Sequence, residues 1–195
     1  MNARGARGVY FSHRPLHLMS DDLRYPIGKF SRPKAALTAA QRASAIEAIA
    51  DAPSALRTAV AGLTDAQLDT PYRPDGWTVR QVVHHVPDSH VNAYCRFKLA
   101  LTEEKPTIKP YDEAKWAQLP DGVSKLIEPS LTLLESLHVR WVFLLERMAA
   151  ADFERLLNHP EWETPLSLDF MVAMYAWHGR HHVAHVTALR KRQRW

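Results

Sequence analysis

Apolar residues recur every three or four positions through four long stretches of this chain, the spacing of helices that bury one face. The first starts at Thr38, where Gln41 three residues on completes a capping box, and continues through Ile46, Ile49, Leu56, Val60 and Leu63. Pro53 is expected to kink or break it. The second opens on another Thr-x-x-Gln box, Thr78 with Gln81, and reaches about residue 103. The third begins at Pro129, a residue suited to a first turn, and runs to about Ala150 with Leu131, Leu134, His138, Trp141 and Leu145 on one face. The fourth is capped near Ser167 and passes through Met171, Met174, His178, His185 and Leu189 to a basic end. A polar connection (64–76) and a long Pro-containing linker (106–129) separate them, and strand signals are confined to a hairpin around 159–166. The pattern predicts an all-α four-helix bundle with long connections, one domain over 21–195.

Composition narrows the function classes. The longest apolar runs are a few residues, too short for a transmembrane helix. A single cysteine, Cys95, excludes a disulfide framework and a CxxC zinc site, and fits a reducing cytoplasm. The net charge of +4 falls to +1 without residues 1–18, which hold Arg4, Arg7 and Arg14 and no acid. The body is therefore near neutral, which argues against a nucleic-acid partner. Residues 1–20 lack both apolar periodicity and an h-region, so they are expected to be a flexible basic extension or the product of an upstream start, with Met19 opening the ordinary part of the chain.

Histidine is where composition speaks to chemistry. Seven of the eleven lie in two short segments: His84, His85 and His90, then His178, His181, His182 and His185. At about 100° per residue, the four in the last helix share one arc with Met171, Met174 and Leu189, so imidazoles interrupt a stripe that should be apolar. Each desolvated imidazole needs a partner or costs about 1–3 kcal/mol, and a metal ion satisfies two at once. His181 and His185, spaced i and i+4, stack one above the other as chelation requires. The run HHVAH is not the HExxH zincin pattern, since His182 stands where the catalytic Glu belongs. A third ligand must come from another helix. His85 shares an arc of the second helix with Gln81, Asp88, Ser89, Asn92 and Arg96, a polar strip suited either to a cavity or to solvent. His84 and His90 lie off that arc and read as structural. Asp88, one turn beyond His85, is the nearest candidate general base, and is equally readable as a surface carboxylate. The Arg96 fork suits a carboxylate or phosphate, or else a salt bridge to Glu103, Asp88 or Asp112.

Three segments carry a family resemblance: YPIGKF (25–30), LDTPYRPDGWTVRQVVHHVPDSHVNAYCRFKLALTEEKP (68–106) and YAWHGRHHVAHVTAL (175–189). Together they resemble the YfiT branch of the DinB-like four-helix-bundle superfamily, from Tyr25 to the C-terminus. The resemblance implies a cytoplasmic, homodimeric metal-dependent hydrolase with one zinc or nickel ion per subunit, held by His85, His181 and His185. Two features depart from the family: the leading extension, and Pro87, which stands where an ordinary helical residue is usual. Pro87 cannot bond to the Val83 carbonyl and is expected to kink the helix beside His85. Three readings follow. A metal-dependent hydrolase acting on a small electrophilic substrate comes first, then a metal-dependent low-molecular-weight-thiol S-transferase, then a non-catalytic metal-binding protein.

Overall fold

The computed structural model describes residues 23–124 and 126–195; the basic extension (1–20) lies outside the described residues. Four long helices dominate. We label them α1 (Ala39–Val60), α3 (Val79–Thr102), α5 (Glu128–Leu145) and α6 (Leu168–Gln193), with two one-turn helices, α2 (Asp65–Leu68) and α4 (Glu113–Trp116), in the connections. A 3₁₀ turn (Ala150–Glu154) follows α5, and β1 (Leu156–Leu157) pairs antiparallel with β2 (Leu166–Ser167).

The capping residues act as the sequence predicts. Thr38 and Gln41 exchange side-chain-to-backbone hydrogen bonds at the start of α1, and Thr78 and Gln81 do so at α3. Ser167 accepts the Phe170 N–H at the head of α6, whose last turn carries Arg190, Lys191 and Arg192 against the negative end of the helix dipole. Other boundaries move. α1 stops at Val60, short of Leu63, because the chain turns at Gly62, whose φ is +74°. Helix α5 ends at Leu145, short of Ala150, and tightens into the 3₁₀ turn. The hairpin forms where expected, with β1 two residues before 159, β2 starting at Leu166, and residues 158–165 as the loop. Neither proline breaks its helix: α1 continues through Pro53 and α3 through Pro87, both buried.

α1 packs on α6 and α5, and α3 packs on those same two helices. The connections α1→α3 and α5→α6 therefore cross the bundle diagonally. Apolar contacts form two clusters at opposite ends, one around Phe97, Trp141 and Met171, the other around Leu56, Val83, Leu134 and Leu189. Following each helix from one cluster to the other shows α1 parallel to α6, α3 parallel to α5, and the two pairs antiparallel. Between the clusters α3 carries His90, α5 carries His138 and α6 carries His178 through His185. A histidine layer thus divides the apolar core, on three helices at one level.

Candidate metal centre

A cleft of about 810 Å³ opens on this layer, with walls supplied by α3, α6, the segment before α1 and the connections around Tyr72, Tyr111 and His159. The YPIG segment is held by its own turn. Pro26 takes the second position, the Gly28 N–H bonds the Tyr25 carbonyl at 2.8 Å, and Gly28 adopts the φ of +82° that closes it. The Trp177 indole N–H then donates to the Gly28 carbonyl at 3.2 Å, which fastens the segment across the cleft.

At the cleft floor, His85 of α3 and His178 and His182 of α6 bring one ring nitrogen each within 4.8 Å of the others. Spacing i and i+4 on α6 stacks the last two, and the α3–α6 contact supplies the first. Burial pushes the His85 imidazole down to about 4, and drives His178 and His182 well below the ordinary histidine range; neighbouring imidazoles add to each effect. All three are therefore neutral near pH 7, the form in which imidazole binds a metal. Among the described residues, the buried Nδ1 atoms of His181, His182 and His185 have no hydrogen-bond partner. A polar atom left so in a bundle core is what a missing ligand would leave behind.

Behind His178 lies a chain of rings that determines its tautomer. His138 Nδ1 sits 2.7 Å from the Ile49 carbonyl of α1, which can only accept, so that nitrogen carries the proton. His138 Nε2 must then accept from His90 Nδ1, 2.7 Å away, and His90 Nε2 must accept from His178 Nδ1 at 3.0 Å. Each ring is neutral, since burial lowers all three pKa values, with His138 at about 4. The chain leaves the lone pair of His178 on Nε2, the nitrogen facing away from His90 and 3.5 Å from Ser89 Oγ. Orientation of a ligand imidazole by a bond to its other nitrogen is the usual support of a metal site.

His181 and His185 line the same cleft, outside the three-imidazole group. His181 stacks on Trp177 at 4.2 Å, and His185 stacks on Tyr72 at 3.9 Å. His185 also donates from Nε2 to the Arg24 carbonyl at 3.0 Å. Among the described residues the three-imidazole group forms with His178 and His182, and His85 is the member it shares with the set implied by the family resemblance. The proposed strip on α3 also divides. His85, Ser89 and Arg96 line the cleft, whereas Gln81 caps its helix and donates to the Ala117 carbonyl, and Asn92 donates to the Asp88 carbonyl. Asp88 does not line the cleft; burial, with Asp121 nearby, raises its carboxyl to about 6. His84, read as structural, is bonded to Ser130 Oγ and the Ser124 carbonyl.

The sequence profile of the DinB superfamily matches residues 48–186, most of the chain. The chain belongs to the DinB superfamily. Among solved structures, this DinB protein superposes at a TM-score of 0.86 on one described as "YfiT from Bacillus subtilis is a probable metal-dependent hydrolase with an unusual four-helix bundle topology". The two are 45% identical, and the match covers 89% of this chain and 99% of that one. A Bacillus cereus relative named "Putative metal-dependent hydrolase" is 57% identical over 177 residues, 90% of this chain and 99% of its own. A Bacillus anthracis relative of the same name is 56% identical over the same span. The diagonal connections described above agree with a four-helix bundle of unusual topology.

Sequence reasoning read His90 as structural and put His138 on the apolar face of its helix; that the two rings bond to each other depends on three helices meeting. It also left His178 without a function, although that residue has an i+4 partner just as His181 does. No signal within α6 separates the two pairs. The aromatic walls, Tyr72, Trp77 and Trp177, were equally hidden, since they come from two segments far apart in the chain, the α2→α3 connection and α6.

Proposed function

We propose that this DinB protein is a metal-dependent hydrolase whose divalent ion is held by His85, His178 and His182. The observation that carries the reading is the convergence of three neutral imidazoles on one point, with the tautomer of one set from behind by His90 and His138. Three nitrogen ligands suit zinc, with nickel as the alternative, at one ion per chain. When bound, such an ion lowers the pKa of a coordinated water toward neutrality and polarises a substrate oxygen.

The residues around it do the remaining work. Trp77, 4.6 Å from the His85 ring, and the Tyr72 and Trp177 rings stacked on His185 and His181 give the floor apolar walls that thin out bulk water. Ser89 Oγ is placed to contact His178 and whatever sits beside it. The cleft is wide enough for a small organic electrophile, and its open side leaves the fourth ligand position accessible. No described helix is long and apolar enough to cross a membrane. A cytoplasmic homodimer completes the proposal, with exposed Val139 and Phe143 on α5 offering a second copy an apolar face.

Elemental analysis of the purified protein and five alanine variants tests the ligand set. His85→Ala, His178→Ala and His182→Ala should lose stoichiometric metal, while His181→Ala and His185→Ala retain it. The converse pattern on α6 would restore the His181–His185 pair. A panel of esters, amides and epoxides, assayed with and without added low-molecular-weight thiol, tests the reaction. Turnover that requires the thiol would replace hydrolysis by S-transfer, and stoichiometric metal with no turnover would leave a binding protein.

A further inference from the structure

Arg96 is a buried cation without a carboxylate. It is 7% exposed, lines the metal cleft, and forms no ion pair with any described residue. The salt bridges open to it in sequence, to Asp88, Glu103 or Asp112, are absent among the described residues; Asp112 pairs with Lys115 instead. Among the described residues it bonds to the Tyr175 side chain, which leaves most of its five N–H donors for something else. By contrast, the other buried arginine of α3, Arg80, is matched by Asp65 and Asp69. The acids that do line the cleft, Asp75, Glu113 and Glu161, are exposed at its rim.

The titratable groups around Arg96 are neutral rather than anionic. Tyr111 and Tyr175 are close enough for their hydroxyls to feel its field, and His159 is held below the ordinary histidine range by burial and then by Arg96. A guanidinium taken out of water this far is costly unless an anion joins it. Ser89, level with His178, is seven residues before Arg96 on α3, about 10 Å along the helix axis, and long side chains lean back toward the helix N-terminus. The metal site and the guanidinium therefore lie at two ends of one cleft.

We propose that Arg96 is the anion subsite of this cleft: the substrate, or a co-substrate, carries a carboxylate or phosphate that docks on the Arg96 fork within about 10 Å of its reacting atom. The inference rests on the reading of His85, His178 and His182 as the reacting end, but the subsite is a property of the protein alone. It is tested on metal-free protein by isothermal titration with succinate and inorganic phosphate, and with succinamide as the uncharged control. Saturable binding of succinate or phosphate and none of succinamide is expected, weakened at least tenfold by Arg96→Gln and less by Arg96→Lys. Arg73→Gln, which removes another cleft arginine, should keep the binding. Failure of both anions to saturate in the wild type, equal binding of succinamide, or loss of binding in Arg73→Gln with retention in Arg96→Gln would each overturn the proposal. The wild-type arms hold even if Arg96→Gln does not fold. Zinc titration of the same preparation separates the two readings. Anion binding without zinc sinks the metal site alone, and zinc binding without anion binding sinks the subsite alone.

Discussion

Replacing His90 with Phe keeps a ring of similar shape at a fully buried position and removes both of its nitrogens. Two hydrogen bonds go with them, at 2.7 Å to His138 and 3.0 Å to His178. A buried polar group left unpaired costs about 1–3 kcal/mol, so the two orphaned nitrogens set an upper range of about 6 kcal/mol. The true loss should be about 2–4 kcal/mol, because His178 can shift its proton to Nε2 and donate to Ser89 Oγ, 3.5 Å away. That relief is what would harm the proposed site: it covers the lone pair with which His178 would hold a metal. Loss of such support costs about 10–100-fold in metal affinity, or roughly 1.4–2.7 kcal/mol. The assay is competition for zinc against a chromophoric chelator, beside thermal melts. His84→Phe is the control, since it also strips a buried histidine of two bonds, neither of them to a proposed ligand. It should melt early and bind zinc as the wild type does. Nitrogen-15 spectra of metal-free protein should show His138, His90 and His178 protonated at Nδ1. Zinc affinity within twofold of wild type in His90→Phe, or a His178 proton on Nε2, would refute the relay.

Acid should destabilise the metal-free protein early: His85 and His138 titrate at about 4 when folded, against an unperturbed value near 6.5, so the unfolded chain takes up their protons first. Stability is then complete above about pH 6.5 and falls toward pH 4 by up to about 1.4 kcal/mol per unit for each such histidine; urea midpoints equal at pH 7 and pH 5 would contradict this. Gly179→Ala sets helix propensity against packing, since a Cβ there would lie 2.9 Å from the Ala52 Cβ of α1, a contact with no flexible end to yield. Overpacking at about 1–3 kcal/mol should outweigh a propensity gain of about 1, so the variant should melt lower, and a higher melting temperature would show that α1 and α6 can separate freely. Asp169→Ala strands the Leu37 N–H and the Arg42 guanidinium, bonded at 2.7 and 2.8 Å, and should cost about 3–5 kcal/mol by urea unfolding; a loss under about 1 would mean water replaces the carboxylate. Thr78→Ala should cost about 1 kcal/mol of stability with full metal content, and metal loss would tie the α3 cap to the site.

Local signals decided how many helices this chain makes and where most of them begin. The boxes at Thr38 and Thr78, the cap at Ser167 and the apolar spacing on α1, α3, α5 and α6 act within a turn or two of chain, and the structure keeps them. So did the density of histidine on α6, which announced an unusual interior. Sequence could not say which pair of that arc is turned to the centre, because His178–His182 and His181–His185 have the same spacing and lie on one face. The packing of α3 against α6 brings His85 to the first pair, while the Arg24 carbonyl, Tyr72 and Trp177 contact the second. Nor could it reveal that His90 and His138 meet, or that Arg96 lacks a carboxylate, since each fact is a distance between segments far apart in the chain. Periodicity records which face of a helix avoids water. It holds no record of which neighbour that face meets, and in this protein the meeting of three helices at one level makes the site.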